Sequence, residues 1–154
     1  MDQSAQGGGG LALGGTVSGE EGERLKFVLP SFPISFNKLY EVDHNRRHVR
    51  LSDAAALWKT RTIPFVKPCR WEPCLLKITL EYQSPSWFTK AGRPRRIDVQ
   101  NLEKLVIDTL FAKWGYEDSW LWDVIRLKRY GEREQIYVTL ERVELEAGSG
   151  SQDE

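Results

Sequence analysis

The chain has 154 residues, which is enough for one ordinary domain. Its 40% hydrophobic and 29% charged residues exclude a wholly disordered protein, and no apolar run reaches the roughly 18 residues that span a membrane. The start lacks a basic segment followed by an apolar one, and two cysteines are too few for a disulfide scaffold. We therefore expect a cytoplasmic protein in a reducing compartment.

The net charge of zero hides an uneven distribution of charge along the chain. All 22 Lys and Arg residues lie between Arg24 and Arg142, whereas eight of the 22 acids lie in residues 1–23 and 144–154. The middle segment thus carries +8, which favours a polyanionic partner such as nucleic acid, although ordinary solvated surface would account for the same bases. Because both ends are short of apolar residues, we predict disordered tails at 1–23 and 144–154 around one domain at 24–143.

The predicted elements follow the order β-β-α-β-α-β-β. Residues 25–29 and 48–51 are predicted strands, and Ser52 is placed to cap a helix that ends before Pro64 and Pro68. Residues 74–82 alternate as a strand, 84–96 indicate an exposed loop, and 98–112 form the clearest helix. Strands at 120–130 and 135–143 follow, joined by a turn at Gly131. This order predicts an α+β fold with a mixed sheet and two main helices.

The helix predicted at residues 98–112 carries most of the functional information. Its apolar positions predict a buried stripe, which consists of Val99, Leu102, Val106 and Leu110. Asn101, Lys104 and Asp108 share another face, and Asp98 stands where an N-cap belongs. A capped helix with one solvated face is the commoner explanation of this pattern. The alternative is a polar line that faces a functional site.

A second acidic group follows this helix. Asp118 lies where a loop meets a strand, beside Glu117, and Asp123 lies within the strand. Functional side chains often occupy such junctions. Mg²⁺ prefers oxygen ligands and is commonly held by one or two carboxylates plus phosphates. Two aspartates, one from a helix start and one from a strand start, could converge on such an ion.

Taken in order, these segments resemble the RusA family of Holliday junction resolvases. Residues 96–104 are similar to the family pattern R-x-D-x-D-N-x-x-K. A helical aspartate (Asp108), an acidic pair (Glu117 and Asp118) and a strand end Lys-Arg-Tyr (128–130) follow as they do in the family. The opening strand, the Pro-rich loop and Asn37 fit as well, so the resemblance covers about residues 25–143.

The resemblance implies a small, intertwined α+β homodimer that resolves four-way DNA junctions by paired nicks, in bacterial or phage recombination and repair. It implies Mg²⁺ or Mn²⁺ as the cofactor, and neither a membrane nor a small-molecule cofactor. By position, Asp98 and Asp118 correspond to metal ligands. Asp108 would hold the metal or orient the attacking water, and Lys104 would stabilise phosphate charge, pair with Asp108, or do both.

Gln100 departs from the family pattern, since it stands where the second aspartate of D-x-D is found. Its side chain offers a neutral carbonyl oxygen but no charge, so we expect weaker metal binding. The protein would be a slow enzyme, an enzyme that recruits Asp108 or Asp123, or a branched-DNA-binding dimer that has lost cleavage. The loop before Asp118 is one residue shorter than in the family, so Glu117 remains the alternative ligand.

We expect DNA contacts from basic side chains in three groups. These are Arg93, Arg95 and Arg96 before the second helix; Arg46, Arg47 and Arg50 with the neighbouring histidines; and Lys59 and Arg61 on the first helix. Trp87 or Phe88 could stack on an opened base, although a tryptophan is more often packed. Trp114, Trp120 and Trp122 are assigned to the core or a dimer interface.

Two further functions remain open. His44 and His48, with Cys69 and Cys74, have spacings close to those of zinc ligands, which would fit a zinc-stabilised adaptor. The two pairs are far apart in the sequence, which weakens this alternative. Charge alone does not distinguish DNA from RNA as the partner.

Overall fold

The computed structural model of this protein describes residues 24–33, 40–45, 48–97 and 99–145. Outside these ranges lie Asp98, Arg46, Arg47, the predicted tail at 1–23 and most of the predicted tail at 144–154. The side chain of Asn101 is not described either. The described elements are β1 (Arg24–Leu29), β2 (Tyr40–Asp43), β3 (His48–Leu51), α1 (Asp53–Thr62), β4 (Leu76–Ser84), α2 (Val99–Trp114), β5 (Leu121–Tyr130) and β6 (Gln135–Arg142), with short 3₁₀ turns at Ile63–Phe65 and Asp118–Trp120.

The strands form a four-stranded mixed sheet in the order β1-β6-β4-β5, and β2 and β3 form a separate antiparallel pair. Within the larger sheet, β4 and β5 run parallel, whereas β6 runs antiparallel to both β1 and β4. Parallel neighbours need a long crossover connection, and α2 lies in the segment that connects β4 to β5. The predicted α+β class with a mixed sheet and two helices is confirmed.

One face of this sheet packs against α2. Along β4 every second residue is buried, from Leu76 to Ser84, because successive side chains of a strand point to opposite faces. The four residues of the predicted stripe on α2 are all buried. Leu105, Ile107 and Phe111 are buried as well, so the apolar surface of α2 is wider than a single stripe.

The start of α1 follows the predicted capping. Ser52 has an extended backbone, and its hydroxyl accepts a hydrogen bond of 3.2 Å from the Ala55 N–H. This bond satisfies one of the N–H groups that have no partner within a helix. Trp58 is buried in the core, and its indole N–H donates to the Ser31 hydroxyl at 3.1 Å. Neither α1 nor α2 has the length and apolar character that crossing a bilayer requires.

The structure adds one strand to the predicted elements. The strand β2 was not predicted, because it pairs only with β3 and its Val42 is exposed, so no buried alternation marks it. The segment at 84–96 is a largely exposed loop, as predicted, and Phe88 and Pro94 form a β-bridge within it while the Arg95 N–H donates to the Trp87 carbonyl at 2.7 Å. Trp122 is 59% exposed, so it does not belong to the core, and its alternative assignment to a dimer interface stays a prediction.

A buried polar group lies within the sheet. Tyr82 on β4 is fully buried, and its hydroxyl has no hydrogen-bond partner among the described residues. Burial raises the pKa of Tyr82 well above its ordinary value, an effect that the charge of Arg126 opposes. A buried hydroxyl without a partner costs about 1–3 kcal/mol of stability.

Candidate active site

A cavity of about 290 Å³ lies between the polar face of α2 and the first half of β5. It is lined by Gln100, Glu103, Lys104, Ile107, Asp108, Asp118, Leu121 and Arg126. Four of the residues singled out in the sequence therefore share one cavity: Gln100, Lys104, Asp108 and Asp118. They meet because the turn before β5, which carries Asp118, lies beside the face of α2 that carries the other three. We call this space the acidic cavity.

Lys104 and Asp108 form an ion pair inside the acidic cavity. The Lys104 ammonium donates to both carboxylate oxygens of Asp108 at 3.1 Å, and the two side chains are 47% and 31% exposed. The i, i+4 spacing brings the two together on one helix face, as the sequence predicted. Lys104 thus presents its positive charge at a defined position beside the cavity.

Asp118 lines the acidic cavity from the turn before β5 and not from α2. It opens the 3₁₀ turn before β5, and its backbone carbonyl accepts from the Leu121 N–H, which closes that turn. Its side chain makes no hydrogen bond or ion pair within the described residues. Glu117 and Asp123, the two alternatives, are exposed as Asp118 is, but they do not line the cavity.

A second ion pair in the acidic cavity was not predicted. The guanidinium of Arg126 on β5 binds both carboxylate oxygens of Glu103 on α2, with one contact of 2.9 Å. Both oxygens are engaged, which is the strong, oriented form of this interaction. The i, i+3 spacing of Gln100 and Glu103 would have placed Glu103 on the same face of α2. Its pairing with Arg126 could not be predicted, because it joins α2 to β5, which are neighbours only in the folded chain.

The donor chemistry of the acidic cavity fits a hard divalent cation. Glu103 and Asp108 already have cationic partners, whereas the exposed Asp118 forms no ion pair with any described side chain. Carboxylate and amide oxygens, as in Asp118 and Gln100, are ligands that Mg²⁺ and Mn²⁺ accept. The described residues contain no group of three metal-type side chains, and Asp98, the other expected ligand, lies outside them.

The basic residues expected to contact DNA differ in their surroundings. Arg93, Arg95 and Arg96 are exposed in the segment that leads into α2. Arg50 is engaged at 3.1 Å with both Glu41 and Asp53, so it stabilises the junction between β3 and α1. Of the first helix, Arg61 is exposed and Lys59 is half-buried.

The zinc alternative finds no support in the described residues, which include all four of its candidate ligands. His44, His48, Cys69 and Cys74 do not form a group that could hold a metal. Cys69 instead lies 3.3 Å from the hydroxyl of Tyr116, which donates to the Trp71 carbonyl at 2.6 Å. Burial and the hydrogen bond with Cys69 raise the pKa of Tyr116, so this hydroxyl stays a donor.

Residues 44–141 match the model of the family described as Endodeoxyribonuclease RusA. The match covers more than half of the chain and contains every residue of the acidic cavity, whereas β1 precedes it. No curated protein matches the chain.

Proposed function

The chain belongs to the RusA endodeoxyribonuclease family, and from this premise we propose that it resolves four-way DNA junctions by paired, metal-dependent nicks. The family's general chemistry is hydrolysis of DNA phosphodiesters. Paired nicks need two sites related by symmetry, which a homodimer supplies, so we propose that two copies act together. We propose further that the protein acts in the bacterial cytoplasm and is encoded by a bacterium or a phage. The dimer would present two acidic cavities to one junction.

The observation that supports this proposal is the acidic cavity itself. It brings together four of the residues to which the family resemblance assigned roles, namely Gln100, Lys104, Asp108 and Asp118. A cavity with oxygen ligands on two of its elements and oriented cations beside them can hold both a metal ion and the phosphate on which the metal acts. Exposed arginines at positions 93, 95 and 96 extend the positive surface towards the rest of the DNA.

We propose that Asp98 and Asp118 hold the metal, with the carbonyl oxygen of Gln100 as a neutral ligand. Asp108 is the further candidate, as a ligand or as the group that orients the attacking water. A bound Mg²⁺ or Mn²⁺ would polarise the scissile phosphate and lower the pKa of the attacking water. Since Gln100 adds no charge, the site depends more heavily on the two aspartates than a site with three carboxylates would.

Lys104 and Arg126 supply the positive charge of the proposed reaction. Each is held by a carboxylate on α2, so neither has to be ordered when the phosphate arrives. Preorganised charge of this kind stabilises the negative charge that develops on the phosphate oxygens. The pairing with Asp108 and Glu103 orients these cations and does not remove them from the cavity.

A branched-DNA-binding dimer without cleavage is the second candidate. Gln100 favours it, because the loss of one carboxylate weakens metal binding while the basic surface for DNA remains. Both candidates predict a preference for junctions over linear duplex. They differ in whether a metal ion produces nicks.

Cleavage of a synthetic four-way junction, with a linear duplex of the same length beside it, tests the proposal. The full chain is incubated with Mg²⁺, with Mn²⁺ and with a chelator. Asp98→Asn and Gln100→Asp are compared with wild type, and Asp123→Asn serves as the control because this exposed carboxylate does not line the cavity. We expect symmetric, metal-dependent nicks in wild type and Asp123→Asn, and their loss in Asp98→Asn.

The outcomes separate the two candidates. Junction binding without nicks would favour the binder, and nicks that appear only in Gln100→Asp would locate the defect at position 100. Equal affinity for junction and duplex would contradict the junction preference while leaving family membership unaffected.

A further inference from the structure

A second cavity of about 310 Å³ lies at the opposite end of β5 from the acidic cavity. It is formed by the loop after β4 and the end of β5, and its lining includes Trp87, Phe88, Arg95, Lys128, Arg129 and Tyr130. Its volume falls at the small end of the range for ligand pockets, roughly 300–1,000 Å³. We call it the aromatic cavity.

The loop that forms one side of the aromatic cavity is held in place by its own hydrogen bonds. The Thr89 N–H donates to the Arg93 carbonyl at 2.8 Å, and the Gly92 N–H donates to the Thr89 carbonyl at 2.9 Å. Gly92 has φ +76°, a conformation that glycine adopts without strain. The loop therefore presents Phe88 from a closed turn.

The floor of the cavity is fixed by Trp87. Its indole N–H donates to the Arg129 carbonyl at 2.6 Å, and its ring lies 5.8 Å from that of Phe32. The Lys128 ammonium lies 5.3 Å from the centre of the Trp87 ring and donates to the Ile97 carbonyl at 2.7 Å. Trp87 is thus held in place by contacts within the fold.

Two aromatic rings of the cavity remain open to solvent. Phe88 is 61% exposed and Tyr130 is 76% exposed. Large apolar side chains exposed together beside a pocket commonly mark a binding surface. Their neighbours are cationic: Arg95 makes no ion pair within the described part of the chain, and Arg129 approaches Glu81 only at 3.7 Å.

From these features we propose that the aromatic cavity binds an unpaired nucleobase of DNA, which stacks on Phe88 and Tyr130. Arg95 and Arg129 would bind the phosphates on either side of that base. Exposed aromatic rings beside cations are the combination that recognises single-stranded nucleic acid, because every base has a face that can stack. A purely apolar partner would not account for the cations, and a purely anionic one would not account for the rings.

The aromatic cavity is connected to the candidate active site through the chain that leads into α2. Lys128 holds the Ile97 carbonyl, and Ile97 directly precedes Asp98. A base captured between Phe88 and Tyr130 would contact the segment of chain that leads into α2. This inference rests on the proposed function for its substrate, but it concerns binding rather than cleavage.

The test compares two single-stranded oligonucleotides of equal length and charge, one an oligothymidylate and the other abasic. Fluorescence anisotropy at low salt, with chelator present, gives the affinity of the full chain for each. We expect wild type to bind the oligothymidylate at least about five-fold more tightly, because one stacked base contributes roughly that factor or more. Arg95→Gln should weaken binding of both strands.

Variants of Phe88 isolate the stacking. Phe88→Ala should bring the ratio of the two affinities close to one without changing the affinity for the abasic strand, whereas Phe88→Tyr should keep the wild-type ratio. Phe65→Ala is the matched control, because Phe65 is a similarly exposed phenylalanine that lies outside the cavity.

Equal affinities in wild type, or a Phe88→Ala variant that behaves as Phe65→Ala does, would overturn the proposal. A Phe88→Ala variant that dissociates a dimer in sedimentation, with the ratio unchanged, would overturn it in favour of a second copy as the occupant. Since no cleavage is measured, a protein without nuclease activity can still show the base preference. A protein with full junction cleavage can equally lack it, so the two proposals fail separately.

Discussion

Among the charged side chains of the acidic cavity, Asp118 is the one that forms no ion pair with a described residue. Lys104 pairs with Asp108, and Arg126 pairs with Glu103. A carboxylate left uncompensated beside fixed ion pairs is a favourable place for a metal ion, because the ion gains an opposite charge without breaking an existing pair. Asp118 is therefore the described residue whose replacement tests the proposed metal site most directly.

We expect Asp118→Asn to reduce metal-dependent junction cleavage by about 100-fold or more. A metal ion contributes several kcal/mol of transition-state stabilisation, and each 1.36 kcal/mol corresponds to a factor of ten in rate. Rates at saturating Mg²⁺ would measure the loss. The corresponding amide variant Glu117→Gln should have little effect, because Glu117 does not line the cavity. A larger loss in Glu117→Gln than in Asp118→Asn would show that Glu117 is the ligand.

Replacement of Tyr82 by Phe should raise the free energy of unfolding by about 1 kcal/mol. The substitution removes a buried hydroxyl that has no partner among the described residues and keeps the ring. Urea unfolding measures the change, and Tyr137→Phe, which alters a partly exposed tyrosine of β6, is the control. A loss of stability of comparable size in Tyr82→Phe would show that the hydroxyl has a partner.

The same variant has a consequence at high pH. Burial raises the pKa of Tyr82 in the folded state, so the unfolded state loses this proton first as the pH rises above about 10. Wild type should therefore lose stability more steeply than Tyr82→Phe above that pH.

At the scale of the elements, the start of α1 depends on one side chain. Ser52→Ala should lower the free energy of unfolding by about 0.5–2 kcal/mol, because the Ala55 N–H loses its acceptor in a buried position. Thermal unfolding would show the loss. Thr60→Ala is the control in the same helix, since its exposed hydroxyl bonds only the Ala56 carbonyl and should change stability little.

The two helices and the strands of the larger sheet were predictable because each has a clear pattern. The alternation in β4 and the stripe on α2 both reflect a buried face with a fixed period. The strand β2 was not, since an exposed hairpin pair leaves no such pattern. The wider buried surface of α2 was missed for a related reason: Leu105 and Ile107 lie off the stripe and are buried by other parts of the fold.

At the scale of the whole molecule, the distribution of charge is the main feature outside the two cavities. The middle of the chain carries +8 and the two ends carry the compensating acids. We propose that the acidic ends reduce nonspecific binding of the basic domain to DNA. Most of both segments lies outside the described residues, so this proposal rests on the sequence.

Deletion of residues 1–23 and 144–154 should raise the affinity for linear duplex by about tenfold at low salt, because eight negative charges are removed. The difference should shrink as salt screens these charges. A full-length variant with the eight acids changed to their amides is the matched control and should behave as the deletion does. Unchanged affinity at low salt in both proteins would contradict the proposal.

The fold class, the course of α2 and the pairing of Lys104 with Asp108 follow from the amino-acid sequence, because they depend on periodicity and on neighbours within one helix. The sequence also indicated the family, through motifs spread over most of the chain. Only the tertiary structure decided that Asp118 lines the cavity whereas Glu117 does not, that Arg126 pairs with Glu103, and that Phe88 and Tyr130 share a second cavity. Each of these is a contact between elements distant in the chain, and the direction in which a loop presents its side chains depends on packing that no local pattern encodes.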